Sequence, residues 1–444
     1  MGNRLGIAKA FVTTYIEREM PRLNGFLQDY GFFDREQNLE VRNGEFDLPI
    51  LDKCRKFMRA EVARKQGLYP YFRVISSQQG PEVIMNGRRV VMLGSNNYLG
   101  LTEHPEVKEA SIAAIGKYGT GCAGSPFLNG TLDIHLELQE ALGKYVGKKN
   151  VLLSSTGFQA NLSAIATLVE RKEVAILDKR DHASIYYGAK LSPGKMIRFR
   201  HNDMSDLEAI LKGIKLSRGK MIIVDGIFSM EGDMVKLPEI VKLGEMYKAA
   251  VMVDDAHALG VIGKDGAGTA SHFNLTDKVQ VIMGTFSKSL ASIGGFIATN
   301  ENTDDYLKHH AVPYIFSASL SPANTASALA ALKLTIREPE RRARLWKNTR
   351  EMYKGLKDMG YNLGESEKPE SPILPVLIGG GIERVFKACI YLQEEGVFVN
   401  PVVSPAVPVG KELLRISMMA THTDDHISYS LEKLKKVGGK IGVI

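Results

Sequence analysis

A lysine set among small hydroxylated residues, Gly284-Thr285-Phe286-Ser287-Lys288-Ser289, follows an apolar run, and an aspartate closes an earlier run in Val253-Asp254-Asp255-Ala256-His257. A lysine amine condenses with an aldehyde to an imine, and a buried carboxylate can hold a protonated ring nitrogen. A Schiff-base lysine with an acidic partner for a pyridinium is the pair that recurs in pyridoxal phosphate sites. Either motif alone describes equally well an exposed lysine beyond a strand or a capped strand end. Their order and spacing, with the pieces that follow, favour the cofactor reading.

Thr156-Gly157-Phe158 lies between a buried strand and a helical run from Gln159 to Glu170. Free backbone N–H groups at a helix start, aided by the helix dipole, bind phosphate, and a glycine lets the backbone come close. Thr285 and Ser287 can add hydroxyl donors to the same phosphate. His257, and Ser229 in Ile227-Phe228-Ser229-Met230-Glu231-Gly232-Asp233, are candidates to hydrogen-bond a ring hydroxyl. His182, in Asp181-His182-Ala183-Ser184, can stack on the ring and orient a substrate carboxylate. Arg415 interrupts the apolar run Leu414-Arg415-Ile416-Ser417. Arginine is seldom buried without a partner; a substrate carboxylate matching its planar fork is one reason, and a structural ion pair is another. Gly119 to Gly124 resembles a nucleotide fingerprint, but no strand clearly precedes it. His422 and His426 share helical spacing without a third ligand, so no metal is assigned.

These residues need a frame. Short apolar runs at Val151–Leu153, Val174–Leu177, Met221–Val224, Ala250–Val253 and Val279–Met283 alternate with amphipathic segments such as Pro238 to Tyr247. Continuous apolar runs mark strands buried on both faces, as in a mostly parallel sheet covered by helices. Ligands bind beyond the carboxyl ends of such strands, where the candidate residues fall. The expected class is α/β, a large domain with a mostly parallel central sheet and a smaller C-terminal α+β domain. That second unit starts with an alanine-rich helix from Ala323 to Lys333. It continues through strands near Ile373–Ile378, Val397–Val399 and Leu413–Ser417, and closes with a helix from Asp424 to Lys436. The divisions expected are 1–85, an N-terminal helical extension with the start of a hairpin; 86–322, the cofactor domain; and 323–444, the small domain. The hairpin is predicted by Asn86-Gly87 between Glu82–Met85 and Arg88–Leu93. Before it, Phe11, Tyr15, Leu23, Phe26 and Leu27 recur at helical intervals, which suits a dimer arm, a lid, a membrane-contacting segment or a helix packed on its own subunit.

The 444 residues exceed one compact core. An apolar content of 44% and charged content of 24% are those of a soluble protein. A net charge of +7, spread without a basic block, gives no sign of a nucleic-acid surface. Three widely spaced cysteines argue against a disulfide framework or zinc site and fit a reducing cytoplasm. Met1 to Arg22 lacks the apolar core of a signal peptide, and no run reaches the roughly 20 apolar residues of a membrane helix.

Taken together the motifs resemble those of the α-oxoamine synthases, fold-type-I pyridoxal phosphate enzymes with the aspartate-aminotransferase-like architecture. The resemblance runs from about Leu68 to Lys436. It is carried by Gly94-Ser95-Asn96-Asn97-Tyr98-Leu99-Gly100-Leu101, Asn129-Gly130-Thr131 with His135, Ser155-Thr156-Gly157-Phe158, the segments around His182, Ser229, Asp254 and Lys288, Tyr314-Ile315-Phe316-Ser317-Ala318-Ser319, and Arg415 followed by Ala420-Thr421-His422-Thr423. Thr285-Phe286-Ser287-Lys288-Ser289 looks most like the bacterial serine palmitoyltransferase branch. The resemblance implies Lys288 as the imine lysine, Asp254 on the ring nitrogen, His257 and Ser229 on the ring hydroxyl and His182 stacked on the ring. It implies Thr156, Gly157, Phe158, Thr285 and Ser287 around the cofactor phosphate, Arg415 and Asn97 toward the substrate, and a homodimer in which Ser317 and Ser319 reach the neighbour's phosphate. The reaction implied is a decarboxylative condensation of L-serine with palmitoyl-CoA to 3-ketosphinganine, CoA and carbon dioxide. Glycine or alanine acyltransfer, transamination and a catalytically silent subunit stand as alternatives, the last disfavoured by Lys288. Pro126 stands where similar proteins usually carry arginine, and the N-terminal extension is longer than theirs.

Overall fold

The computed structural model describes residues 48–300, 302–364 and 366–444; the N-terminal positions from Phe11 to Leu27 lie outside the described residues. A seven-stranded sheet carries the large unit, in the order β3-β9-β8-β7-β6-β4-β5. Its members are β3 (Asn150–Ser154), β4 (Val174–Asp178), β5 (Lys195–Phe199), β6 (Lys220–Asp225), β7 (Ala250–Asp254), β8 (Val281–Thr285) and β9 (Gly295–Thr299). Strands β5, β4, β6, β7 and β8 run parallel, whereas β9 is antiparallel to both β8 and β3.

Alternation along these strands feeds opposite faces of the sheet. Ile222, Val224, Val251 and Val253 pack into one core with Leu207, Leu211, Leu237 and Ile240 of the Met204–Lys212 and Leu237–Tyr247 helices. Their neighbours Met221, Ile223, Met252 and Met283 pack into the other, against Ala160, Ala164, Ile165 and Ile185 of the Gly157–Leu168 and Ala183–Leu191 helices. Both faces being covered is why the runs are apolar throughout. Two strands are not picked out by sequence periodicity. Strand β5 is an edge with Lys195 and Arg198 exposed, and β9 is the fully buried antiparallel return between β8 and β3.

The predicted hairpin is present, β1 (Glu82–Met85) with β2 (Arg88–Met92), its turn residues Asn86 and Gly87 at φ +49° and +74°. Its second strand pairs in parallel with β11 (Val397–Phe398) of the C-terminal segment. The expected division at 85/86 therefore falls inside the turn of a hairpin whose sheet is completed from the C-terminal unit. A third sheet, β10 (Ile373–Leu377), β13 (Leu413–Ser417) and β12 (Asn400–Val402), is antiparallel. It holds Arg415 opposite Pro375 and Asn400. Helices Pro322–Arg337, Pro339–Asp358, Ile382–Glu394 and Asp424–Lys440 complete this part. No described helix is long and apolar enough to cross a membrane.

Candidate active site

The parallel register decides where the chemistry gathers. Asp225 at the end of β6 is level with Asp254 at the end of β7, and Asp254 with Met283 of β8. Beyond β8 the chain must reverse into antiparallel β9, and Lys288 sits in that reversal. The loop is pinned: Phe286 N–H donates to Gly294 O, and Ser292 N–H to Phe286 O, while Ser292 Oγ donates to Asn324 O. A cavity of about 290 Å³ opens at these strand ends, near the lower bound for small-molecule sites. Of the residues expected from the sequence, Thr156, Gly157, Phe158, His182, Asp254, His257, Thr285, Ser287 and Lys288 line it.

One end is a donor cradle. Thr156 caps the Gly157–Leu168 helix, its Oγ1 accepting from Gln159 N–H at 3.1 Å, so the first backbone N–H groups of the helix have no intrahelical partner. Thr285 Oγ1 and Ser287 Oγ lie 3.0 Å apart beside it. The approach is tight: a Cβ on Gly157 would stand 2.8 Å from Thr285 Oγ1 and 2.9 Å from Thr285 Cβ. Gly157→Ala is therefore expected to weaken pyridoxal phosphate binding by about tenfold and to destabilise the fold by about 1–3 kcal/mol, the usual cost of overpacking. Fluorescence titration with the cofactor and thermal melts check both; an unchanged dissociation constant would show that the cradle is not there.

The other end is acidic. Asp254 is buried; its Oδ1 accepts from Ala256 N–H at 2.9 Å and its Oδ2 from Asn161 Nδ2 at 2.7 Å. Asp225 is equally buried. Burial first, and the charge of Asp254 next, push its pKa well up, and its Oδ1 has no hydrogen-bond partner among the described residues. Lys288 lies between the ends, its amine pushed down to about 8 by burial. Burial likewise drives His257 well below the ordinary histidine range, and its Nδ1 is 2.7 Å from Tyr98 OH. His182, N-cap of the Ala183–Leu191 helix, is lowered by burial too, and Phe158 meets it edge-on.

Five expected residues do not line the cavity. Arg415 is buried at its margin, donating from Nε to Ser229 O at 2.5 Å and from Nη1 to Ser417 Oγ and Asn96 Oδ1; Ser229 thus contributes its carbonyl there. Asn97 also lies outside the cavity lining. Its Nδ2 donates to Thr102 Oγ1 and Gln79 O, and its Oδ1 accepts from Leu101 N–H, so its amide is spent folding its own loop. The neighbouring Asn96 is the one that meets Arg415. Ser317 and Ser319 stand outside the cavity but next to the cradle, since Ser155 Oγ donates to Ala318 O and Ser319 N–H to Gly124 O. His422 is buried and structural, accepting from Met419 N–H and paired with Met92 O. Asp225, which opens the stretch from Asp225 to Ser229 expected at a strand end, lines the cavity as well, though sequence reasoning assigned it no role. Asn161, Ser184 and Tyr98 were likewise assigned none.

A phosphate cradle, a buried carboxylate and an amine lowered by burial, arranged beyond the carboxyl ends of a mostly parallel sheet, define a fold-type-I pyridoxal phosphate enzyme. A family model for aminotransferase class I and II matches residues 88–434. A serine palmitoyltransferase of Sphingobacterium spiritivorum is 55% identical over 388 residues, 87% of this chain and 96% of that protein. An 8-amino-7-oxononanoate synthase of Thermosipho melanesiensis is 41% identical over 399 residues, 90% of this chain and all of that one. A solved high-resolution structure of SPT with PLP superimposes with a TM-score of 0.85 at 35% identity, covering 89% of this chain and 100% of that chain. The chain belongs to the α-oxoamine synthases of the aminotransferase class I and II family, enzymes that depend on pyridoxal 5′-phosphate. The donor set fits that group: N–H and hydroxyl donors for a phosphate at one end, a carboxylate acceptor at the other, and a lysine between.

Proposed function

We propose that this protein condenses L-serine with a long-chain acyl-CoA, palmitoyl-CoA, giving 3-ketosphinganine, CoA and carbon dioxide. One juxtaposition supports this most: Asp254 and Lys288 reach the same cavity beside a capped helix start, in a chain 55% identical to a serine palmitoyltransferase and 41% identical to an 8-amino-7-oxononanoate synthase.

Gly157 and Phe158 N–H, with Thr285 and Ser287 hydroxyls, hold the cofactor phosphate; Thr156 shapes the cradle by capping it. Asp254 keeps a proton on the ring nitrogen, and His257, supported by Tyr98, faces the ring hydroxyl. When bound, pyridoxal phosphate supplies an electron-withdrawing ring that accommodates the electron pair left at the substrate Cα. Lys288 takes the Cα proton; with its pKa near 8 a useful fraction of the amine is neutral at physiological pH. His182 and Arg415 orient the serine carboxylate. The new bond joins serine Cα to the acyl carbonyl carbon, the thioester C–S bond breaks to release CoA, the Cα–carboxyl bond breaks to release carbon dioxide, and the proton held by Lys288 returns to Cα. Ser317 and Ser319 act across a homodimer, beside Phe316 and Leu128, which are 80% and 78% exposed in the single chain. The enzyme works in the cytoplasm, at the inner membrane face where a long-chain substrate partitions.

A panel of amino acids and acyl thioesters tests the reading. Serine with palmitoyl-CoA is expected to give the highest kcat/KM, with one carbon dioxide per product. Faster turnover of glycine or alanine with a short or pimeloyl thioester would move the chain to the 8-amino-7-oxononanoate synthase type of chemistry. Amino transfer without carbon dioxide would make it an aminotransferase.

A further inference from the structure

We infer that Asn161 and Ser184 lock the tautomer of His182, so that the neutral imidazole carries its proton on Nε2 and presents a fixed hydrogen-bond donor to the cavity. Asn161 is fully buried in the Gly157–Leu168 helix, flanked on its packed face by Ala160, Ala164 and Ile165. A polar side chain there needs partners. Its Nδ2 donates to Asp254 Oδ2 at 2.7 Å and to Ser184 Oγ at 2.8 Å, whereas its Oδ1 has no partner among the described residues. The direction of the amide is not arbitrary. An ionised carboxylate only accepts, so the NH₂ end must face Asp254, and both its hydrogens are then used.

Ser184 Oγ accepts one of those hydrogens and has its own to give. His182 Nδ1 is 2.7 Å away, and the Ser184 backbone N–H, which can only donate, points at the same nitrogen at 3.3 Å. Two donors converging on Nδ1 require a lone pair there, which leaves the ring proton of a neutral imidazole on Nε2. That nitrogen has no partner among the described residues, and His182 lines the cavity. His182 is exposed to the open cavity, and partial desolvation there shifts its pKa down from the ordinary histidine value. Asp225 Oδ2 fixes the backbone as well, accepting from His182 N–H at 3.1 Å. In this state Nε2 can donate to a carboxylate but cannot receive a proton, so proton abstraction is left to Lys288. The tautomer follows from the hydrogen bonds alone; its use toward a substrate carboxylate rests on the function proposed above. Asn161 and Ser184 are positioning residues, acting through His182.

Two-bond proton–nitrogen correlation on the full chain labelled with [¹⁵N]histidine tests this, with and without pyridoxal phosphate. The chain has 10 histidines, so the His182 signal is assigned by its loss in His182→Asn. The expected result in both states is a protonated Nε2 and an unprotonated Nδ1. A proton on Nδ1, or a charged ring at neutral pH, overturns the proposal even if the enzyme proves fully active. Ser184→Ala and Asn161→Leu are expected to raise Nδ1 protonation to a measurable fraction. An unchanged pattern in a folded variant removes that residue from the lock; if a variant does not fold, the wild-type pattern still decides. Loss of the cofactor reading would leave the apoprotein spectrum unchanged, which separates the two failures.

Discussion

Lys288→Ala is expected to lower kcat by about ten-thousand-fold or more, the upper range for a positioned general base, and to end covalent attachment of the cofactor. The cavity holds one lysine at this place, between a donor cradle and two buried aspartates. Burial lowers its pKa from the ordinary value to about 8, with Asp254 and Asp225 opposing that shift and Arg415 adding to it. The amine is the reactive form, so recombination of apoprotein with pyridoxal phosphate should quicken as pH rises and level off above about 8. The same shift has a stability consequence. Between about 8 and 10.5 the unfolded chain binds the proton that the folded apoprotein has released, so the contribution of Lys288 to apoprotein stability rises with pH across that window. Borohydride reduction followed by mass spectrometry checks the attachment: the wild type should carry the label on the peptide containing Lys288, and the variant should carry none. A label on another lysine, or turnover retained in Lys288→Ala, would remove this residue from its role.

Most of the frame that holds this lysine was readable because it is repetitive. Strands β4, β6, β7 and β8 are buried on both faces, and that forces apolar runs whose ends name the site. The helix after Gly157 and the Asn86-Gly87 hairpin are local events with local signals. The return strand β9 was not foreseen, because its existence depends on the reversal through Lys288 rather than on its own five residues. Within the site, residues adjacent to a strand end or helix start were found. Those that act through space were not. Asn161 sits on a helix, 93 positions from the Asp254 oxygen it binds, and Tyr98 is 159 positions from His257; neither separation leaves a pattern in the sequence. Asn96 and Asn97 show the limit at its finest. They are adjacent and identical in type, and only the turn of the loop decides that Asn97 folds the backbone while Asn96 meets Arg415.

Asp254→Asn should lower kcat by roughly a thousandfold, in line with the 3–5 kcal/mol lost when one member of a buried ion pair is removed. The substitution keeps the shape and removes the charge. It also creates a conflict. The two carboxylate oxygens accept from different donors, Ala256 N–H and Asn161 Nδ2, and an amide has one acceptor oxygen, so its NH₂ end must face one of them. Asp225 is a poor substitute, since burial pushes its carboxyl well above the ordinary carboxylate range. Exchange of the serine Cα proton in deuterated water, measured without acyl-CoA, should fall with kcat, because the charge on Asp254 acts before the second substrate enters. Unimpaired exchange with slowed condensation would mean that the carboxylate serves a later step. A further effect separates this residue from a simple counter-ion. Without a carboxylate to face, the Asn161 amide is free to turn its oxygen toward Ser184, the serine hydroxyl can then donate to Asn161 instead of His182, and the histidine keeps only the longer Ser184 backbone N–H of the two donors that hold its proton on Nε2. The variant should therefore show a mixed His182 tautomer in the same nitrogen correlation spectrum, tying the charge beneath the ring to the hydrogen-bond donor at the cavity wall.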